Sequence, residues 1–281
     1  MFNILVPTDF SKTSENGLDL AVDIAEQVNG KIRLLNVIYP PRGSGFSAMG
    51  DVETSLEGEA AHFMAELVRK NKGRLDKEID KYKDRNVEII PHLDFEDKVR
   101  GLNAYVEEHH IDLIVIGTRG RKSLSEYLLG SHTENLIKVS DCPVISIKEE
   151  VEEFSPDSIV LAVDIKDKYF EGLGKLKLLT DNFNSKVHFL YVMDDGVETD
   201  NAIDKLRQIA EENGFTDYTI NTVDNKNPED AIKRYSNRRS ADMLAVFSHG
   251  KKGLKELIFG SVTNDLINNV KIPVFVMNIE D

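Results

Sequence analysis

A single cysteine, Cys142, occurs in 281 residues. That excludes an intrachain disulfide framework and any metal site built from several thiolates. Its setting in SDCPVISI, at the entry to an apolar run, predicts a buried core thiol. No apolar run reaches the roughly 18–20 residues that a membrane span requires. The opening MFNILVPTDF lacks a basic leader and a small-residue cleavage site, so a cytoplasmic location is expected. Positive charge is also scarce: 35 Lys and Arg against 49 Asp and Glu leave a net charge of −14. Such a chain repels nucleic acid and anionic membranes unless its cations are gathered in one place, and no basic stripe interleaved with aromatics is present. The P-loop pattern G-x-x-x-x-G-K-(S/T) is missing, which removes that type of nucleotide hydrolase. His62 and the pair His109-His110 have no partners at metal-ligand spacing and read as solvated helix positions.

What is present is a chain written twice. IDLIVIGTRGRKSLSEYLLGSHTENLIKVSDCPVISI (111–147) aligns without a gap on ADMLAVFSHGKKGLKELIFGSVTNDLINNVKIPVFVM (241–277), every pair offset by 130. Asp112 meets Asp242, Gly120 meets Gly250, Gly130-Ser131 meets Gly260-Ser261, and Thr133 meets Thr263. The openings align at an offset of 155, NILVPTD (3–9) on SIVLAVD (158–164). The difference, 155 − 130 = 25, places about 25 extra residues in the first half, in 39–60 and a longer following helix. Two duplicated domains follow, 1–148 and 158–281, with the acidic stretch 149–157 as linker.

Each half alternates strand and helix. ILVPTD is a short buried strand. A helix follows, with Ser11 and Ser14 as candidate caps, Leu18, Ala21, Val22, Ala25 and Val28 on one face, and Asn29-Gly30 as its stop. KIRLLNVI (31–38), VEIIPH (87–92), IDLIVIG (111–117) and PVISIK (143–148) read as strands. Helices are expected over about 57–83, with Ala60, Phe63, Met64, Leu67, Leu75, Ile79 and Tyr82 roughly on one face, over 95–109, and from near Ser131. The fold class is therefore α/β: two tandem open parallel five-stranded sheets with helices on both faces. The order 3-2-1-4-5 is favoured because it makes strands 1 and 4 neighbours whose crossovers leave in opposite directions. The crevice at their carboxyl ends is where such sheets bind ligands, and Asp9 and Gly117 would border it.

The segment GTRGRKSLSEYLLGSHT (117–133) suits a phosphate cradle. Gly117 and Gly120 let a ligand approach the backbone. Gly130-Ser131 would open a helix whose free N–H groups attract anions, and Ser131 and Thr133 add hydroxyls. Arg119, Arg121 and Lys122 bring positive charge. Asp9 would stand at the other end of the ligand, near a base or sugar, and Val37 could offer its backbone to a base edge. Each residue also has a structural reading: the glycines as turns, Asp9 as a helix cap, the cations as solvated charges. Insertion 39–60, with Gly43, Gly45 and Gly50, leaves strand 2 on the ligand side and is either a lid or an ordinary loop.

These residues resemble the universal stress protein family, whose nucleotide-binding members carry G-x-x-G, nine residues, then G-(S/T), here Gly117, Gly120, Gly130 and Ser131 with Asp9 as the strand-1 acid. The likeness spans both halves. It implies a Rossmann-like domain of the adenine nucleotide alpha hydrolase-like type that binds ATP, with or without Mg2+, and pairs through its last strand, here within one molecule. By position Thr8, Asp9, Val37, Gly117, Arg119, Gly120, Gly130, Ser131, His132 and Thr133 would line the first site. The second half keeps Asp164, Gly250, Gly260, Ser261 and Thr263, but Phe247 replaces the first glycine and Ala162-Val163 replace Pro7-Thr8. It is expected to bind weakly or not at all, the benzyl group filling the crevice. The function implied is an ATP-binding stress-response regulator. A slow ATPase and an interaction module with a vestigial site stay open, as does a homodimer; a redox role has no flavin-specific feature behind it.

Overall fold

Three consecutive side chains of the first strand, Ile4, Leu5 and Val6, are wholly buried, as a parallel strand covered on both faces demands. The computed structural model describes residues 1–38, 59–95, 102–118, 142–165, 170–193, 199–249 and 261–279. Its first half runs β1 (Asn3–Pro7), α1 (Lys12–Val28), β2 (Lys31–Ile38), α2 (Glu59–Asp80), β3 (Glu88–Phe95), α3 (Leu102–Glu108), β4 (Leu113–Gly117) and β5 (Val144–Ile147). The second runs β6 (Ser158–Ala162), α4 (Phe170–Phe183), β7 (Lys186–Met193), α5 (Thr199–Glu212), β8 (Tyr218–Asp224), α6 (Pro228–Arg239), β9 (Met243–His249), α7 (Ser261–Asn269) and β10 (Val274–Ile279). The candidate lid lies mostly in 39–58, outside the described residues.

The strands form one sheet in the order β3-β2-β1-β4-β5-β10-β9-β6-β7-β8. Each half has the expected 3-2-1-4-5 order, and the halves join where β5 and β10 pair antiparallel, Val274 opposite Ser146 and Val276 opposite Val144. Among the described residues every other pairing is parallel. The carboxyl ends of the two sets of strands therefore lie at opposite edges of the sheet.

Local signals explain most boundaries. Ser11 caps α1, its hydroxyl accepting from Ser14 N, and Asn29 ends the helix in the left-handed region at φ 50. The same ending recurs 155 residues later, where Asn184 has φ 55. Cys142 is buried as expected, its thiol donating to the Ile111 carbonyl at 3.5 Å. Helix 95–109 is a correction: β3 continues to Phe95, held by its register with Ile38, and α3 ends at Glu108. In α2 the inward stripe is narrower than the pattern suggests. Met64 and Leu75 are buried, while Phe63, about 100° round the helix from Met64, is 48 % exposed.

Two apolar cores cover the sheet, and both cross the junction. On the α1 and α4 face, Ile4, Val6, Val115 and Ile145 join Ile159, Leu161, Ala245 and Phe275. On the α6 and α7 face, Leu5, Ile114 and Val144 join Val160, Leu244, Val274 and Leu266. The stretch 149–157 is itself packed. Phe154 is buried edge-on against Phe183 at 5.5 Å, and its N–H donates to Asp23 Oδ2 at 2.8 Å. Lys148 Nζ donates to the Val270 carbonyl at 2.7 Å, and Lys175 pairs with Asp112 across the halves.

Candidate functional site

The crevice is set by β1 and β4, which pair through Ile4–Leu113 and Leu5–Ile114. Their crossovers lead away on opposite sides, so Thr8 and Asp9 after β1 stand near Gly117 at the end of β4. Gly117 pairs with Ile147, whose carbonyl accepts from Thr118 N at 2.7 Å. The start of the glycine segment is thus anchored to β5.

Gly117 is glycine for a reason internal to the fold. A β-carbon there would stand 1.7 Å from the Thr13 carbonyl oxygen and 2.9 Å from Ser14 N. One on Gly17 would stand 2.9 Å from Gly117 N. The first turns of α1 lie directly on the end of β4, and two glycines permit that approach. The side on which a Gly117 β-carbon would stand is filled by helix backbone.

Thr8 is also more structural than expected. It is buried, its N–H donates to the Leu35 carbonyl at 2.8 Å, and its hydroxyl donates to Ser14 Oγ at 3.1 Å while accepting from Phe10 N at 3.0 Å. Asn36 Nδ2 donates to the Thr8 carbonyl at 2.8 Å. Between Thr8 and the cap, Phe10 takes φ 63, with the Arg74 guanidinium 4.0 Å above its ring. Asp9 is exposed, and its Oδ1 accepts from Ser11 N at 2.9 Å. Asp9 therefore does take part in capping, by fixing the residue that caps α1. Val37 is half-buried near the end of β2, on the α3 face.

Arg119, Gly120, Gly130, Ser131, His132 and Thr133 lie outside the described residues, as do Arg121 and Lys122. The described part of the crevice thus comprises Thr8, Asp9, Val37 and Gly117: one carboxylate, backbone, and no cation. Gly17 and Asn36 support it and were not singled out from the sequence; Ser14, read there only as a candidate cap, supports it too. Gly17 carried a signal, because glycine inside an apolar helix costs about 1 kcal/mol and asks for a packing reason.

The second half shows which parts of this arrangement repeat. Val163 N donates to the Leu190 carbonyl at 2.9 Å as Thr8 N does to Leu35, but Val163 is an apolar core residue without the hydroxyl network. Asp164 follows it, half-buried. The Phe247 side chain packs against the core on the α1 and α4 face, a role in packing beyond the expected blocking of the crevice. The described part of helix α7 runs Ser261–Asn269. Thr263 is buried, its hydroxyl donating to the Phe247 carbonyl at 3.5 Å. Gly250 and Gly260 lie outside the described residues.

Known proteins share this architecture. The model of the universal stress protein family matches residues 1–148 and 155–278. Universal stress protein MJ0577 of Methanocaldococcus jannaschii is 31 % identical over 160 residues, covering 52 % of this chain and 94 % of that protein. A universal stress protein structure from Archaeoglobus fulgidus matches with a TM-score of 0.72 at 22 % identity, over 98 % of both chains. One from Pseudomonas aeruginosa gives 0.58 at 14 %, over 98 % of this chain and 92 % of that one. The structural likenesses are likenesses of fold.

Proposed function

Because the chain belongs to the universal stress protein family, we propose that its first half binds an adenine nucleotide, ATP, at the carboxyl ends of β1 and β4, and that the bound form acts as a stress-response regulator. The observation that carries this reading is the adjacency of β1 and β4, which brings Asp9 and Gly117 to one switch-point crevice at the head of the G-x-x-G motif.

The described residues fit the adenosine end of such a ligand. Asp9 can accept from sugar hydroxyls, and the Val37 backbone suits a base edge. An exposed carboxylate repels phosphates, so the polyphosphate belongs to Arg119, Gly120, Gly130, Ser131, His132 and Thr133. Ser261, the equivalent of Ser131, lies in helix α7, which is consistent with Ser131 near the start of a helix whose N–H groups receive an anion. The second half, 158–281, keeps Asp164, Ser261 and Thr263 but carries Phe247 and Val163, so it binds weakly or not at all. A binding half, 1–148, and a degenerate half form part of the same reading. A regulator needs only that ATP favour one conformation over another.

The test is extraction of nucleotide from the purified full chain, with thermal unfolding measured with and without added ATP. Co-purifying adenine nucleotide, or a melting temperature that rises with ATP concentration, is expected. A chain that carries none and is not stabilised would leave the crevice without a nucleotide role.

A further inference from the structure

On the α3 face, away from the crevice, Arg33 lies toward the start of β2. Its register partners are Leu5 and Ile90. Leu5 and Leu35 belong to the core on this face, so Arg33, two residues before Leu35, faces the same way. His92, opposite Leu35, does so too. Tyr105 of α3 lies over them, its ring 5.2 Å from His92 and 4.2 Å from His109, and the two imidazoles are 5.9 Å apart. His109 is therefore a packed, half-buried residue, which corrects its reading as solvated; His62 and His110 are exposed.

Two polar atoms of this cluster, Arg33 Nε and Tyr105 Oη, are buried without a hydrogen bond. The Arg33 guanidinium acts on Tyr105 both by charge and as a hydrogen-bonding neighbour, yet neither Arg33 Nε nor Tyr105 Oη reaches a partner at full hydrogen-bond geometry. Among the described residues no carboxylate pairs with Arg33; Asp94 and Glu108 are the acids whose charge reaches Tyr105. Burial first, and Arg33 second, hold the His109 imidazole below its usual pKa.

The second half shows the same place closed. Tyr235 stands five residues before the left-handed Ser240, as Tyr105 does before His110. His188 replaces Arg33, Asn221 replaces His92, and Arg239 replaces His109, so the arginine and a histidine have exchanged elements. There Arg239 Nε donates to Tyr235 Oη at 3.0 Å and a terminal nitrogen to Asn221 Oδ1 at 3.2 Å. His188 meets Thr219 at 2.7 Å, and Asn221 donates to Thr219 at 3.0 Å. The first half puts Ile90 where Thr219 stands, leaving Arg33 Nε and the Tyr105 phenol without a partner.

We propose that Arg33, His92, Tyr105 and His109 bind a small oxyanion. Both unsatisfied groups can donate, and arginine can only donate, so the missing partner is an acceptor. The permanent charge on Arg33 excludes a metal cation between the histidines, whereas an anion would pair with it and favour protonated imidazoles. Two buried donors left unpaired in a half-buried cluster cost enough to make such an acceptor favourable.

The probe is inorganic phosphate, titrated into the full chain at constant ionic strength while the histidine ring signals are followed by NMR. Saturable shifts of His92 and His109 are expected, with exposed His62 unmoved and the His109 titration displaced upward. Arg33→Gln should weaken the response about tenfold or more, the scale of one lost charged hydrogen bond. Acetate in place of phosphate separates a carboxylate site from a phosphate site. His109→Gln, at the rim, provides a second variant should Arg33→Gln fail to fold, and should weaken the shift at His92. Shifts that are absent, linear in phosphate, or unchanged in both variants would mean that the cluster holds water only and would overturn the proposal.

Discussion

A β-carbon on Gly117 would lie 1.7 Å from the carbonyl oxygen of Thr13. Backbone rather than a movable side chain blocks that position, so α1 would have to lift from β4 to admit it. Gly117→Ala is expected to lose about 3 kcal/mol or more, at the upper end of overpacking costs. Its urea midpoint, measured without nucleotide, checks this. An unchanged midpoint would return Gly117 to a purely ligand-facing role.

Phe154, inside the acidic stretch between the halves, is 5 % exposed and packs on Phe183. Phe154→Ala should cost about 3–5 kcal/mol, the range for deleting a buried aromatic. With both cores running through the β5–β10 junction, the wild-type chain should unfold in one transition, seen by calorimetry. Two resolved transitions would show halves that fold apart.

The alternation of strand and helix, the strand order and the α1 caps were legible because each rests on local pattern. The packing of 149–157 was not, because one phenylalanine among acids gives no periodicity and its partners, Asp23 and Phe183, are distant in sequence. Half of the site logic was legible for the same reason. Repetition marked Asp9 and the G-x-x-G spacing marked Gly117, but the Thr8–Ser14 bond and the Gly17–Gly117 approach depend on how α1 settles onto β4. His109 was misread because the Tyr105 and His92 rings reach it only through tertiary packing.

The repeated aspartates have a shared task. Asp112 Oδ2 accepts from Asn3 N at 3.0 Å, and Asp242 Oδ2 from Ser158 N at 2.9 Å, each tying the start of one strand to its neighbour. Asp112 also pairs with Lys175 of the other half. Asp112→Ala should cost about 1–3 kcal/mol, and Asp242→Ala, at an exposed position, less. Chemical denaturation of the two variants side by side measures the difference; equal or reversed losses would contradict it.

Lys148, half-buried against Val270, has its pKa pushed down by burial from 10.5 to about 8. Below about pH 8 the amine is charged in both states, and its desolvation weakens the fold. Between about 8 and 10.5 the folded chain has released the proton while the unfolded chain keeps it, so stability contributed by this site rises with pH. Wild-type stability relative to Lys148→Met should therefore increase across that window. A flat difference would mean an unshifted lysine.

The most direct test of the nucleotide reading is calorimetric titration of ATP into the full chain and into Gly130→Phe and Gly260→Phe variants, each first shown to be folded. The account predicts about one ATP per chain, lost in Gly130→Phe and kept in Gly260→Phe. Binding that survives Gly130→Phe, or that disappears only in Gly260→Phe, would contradict it.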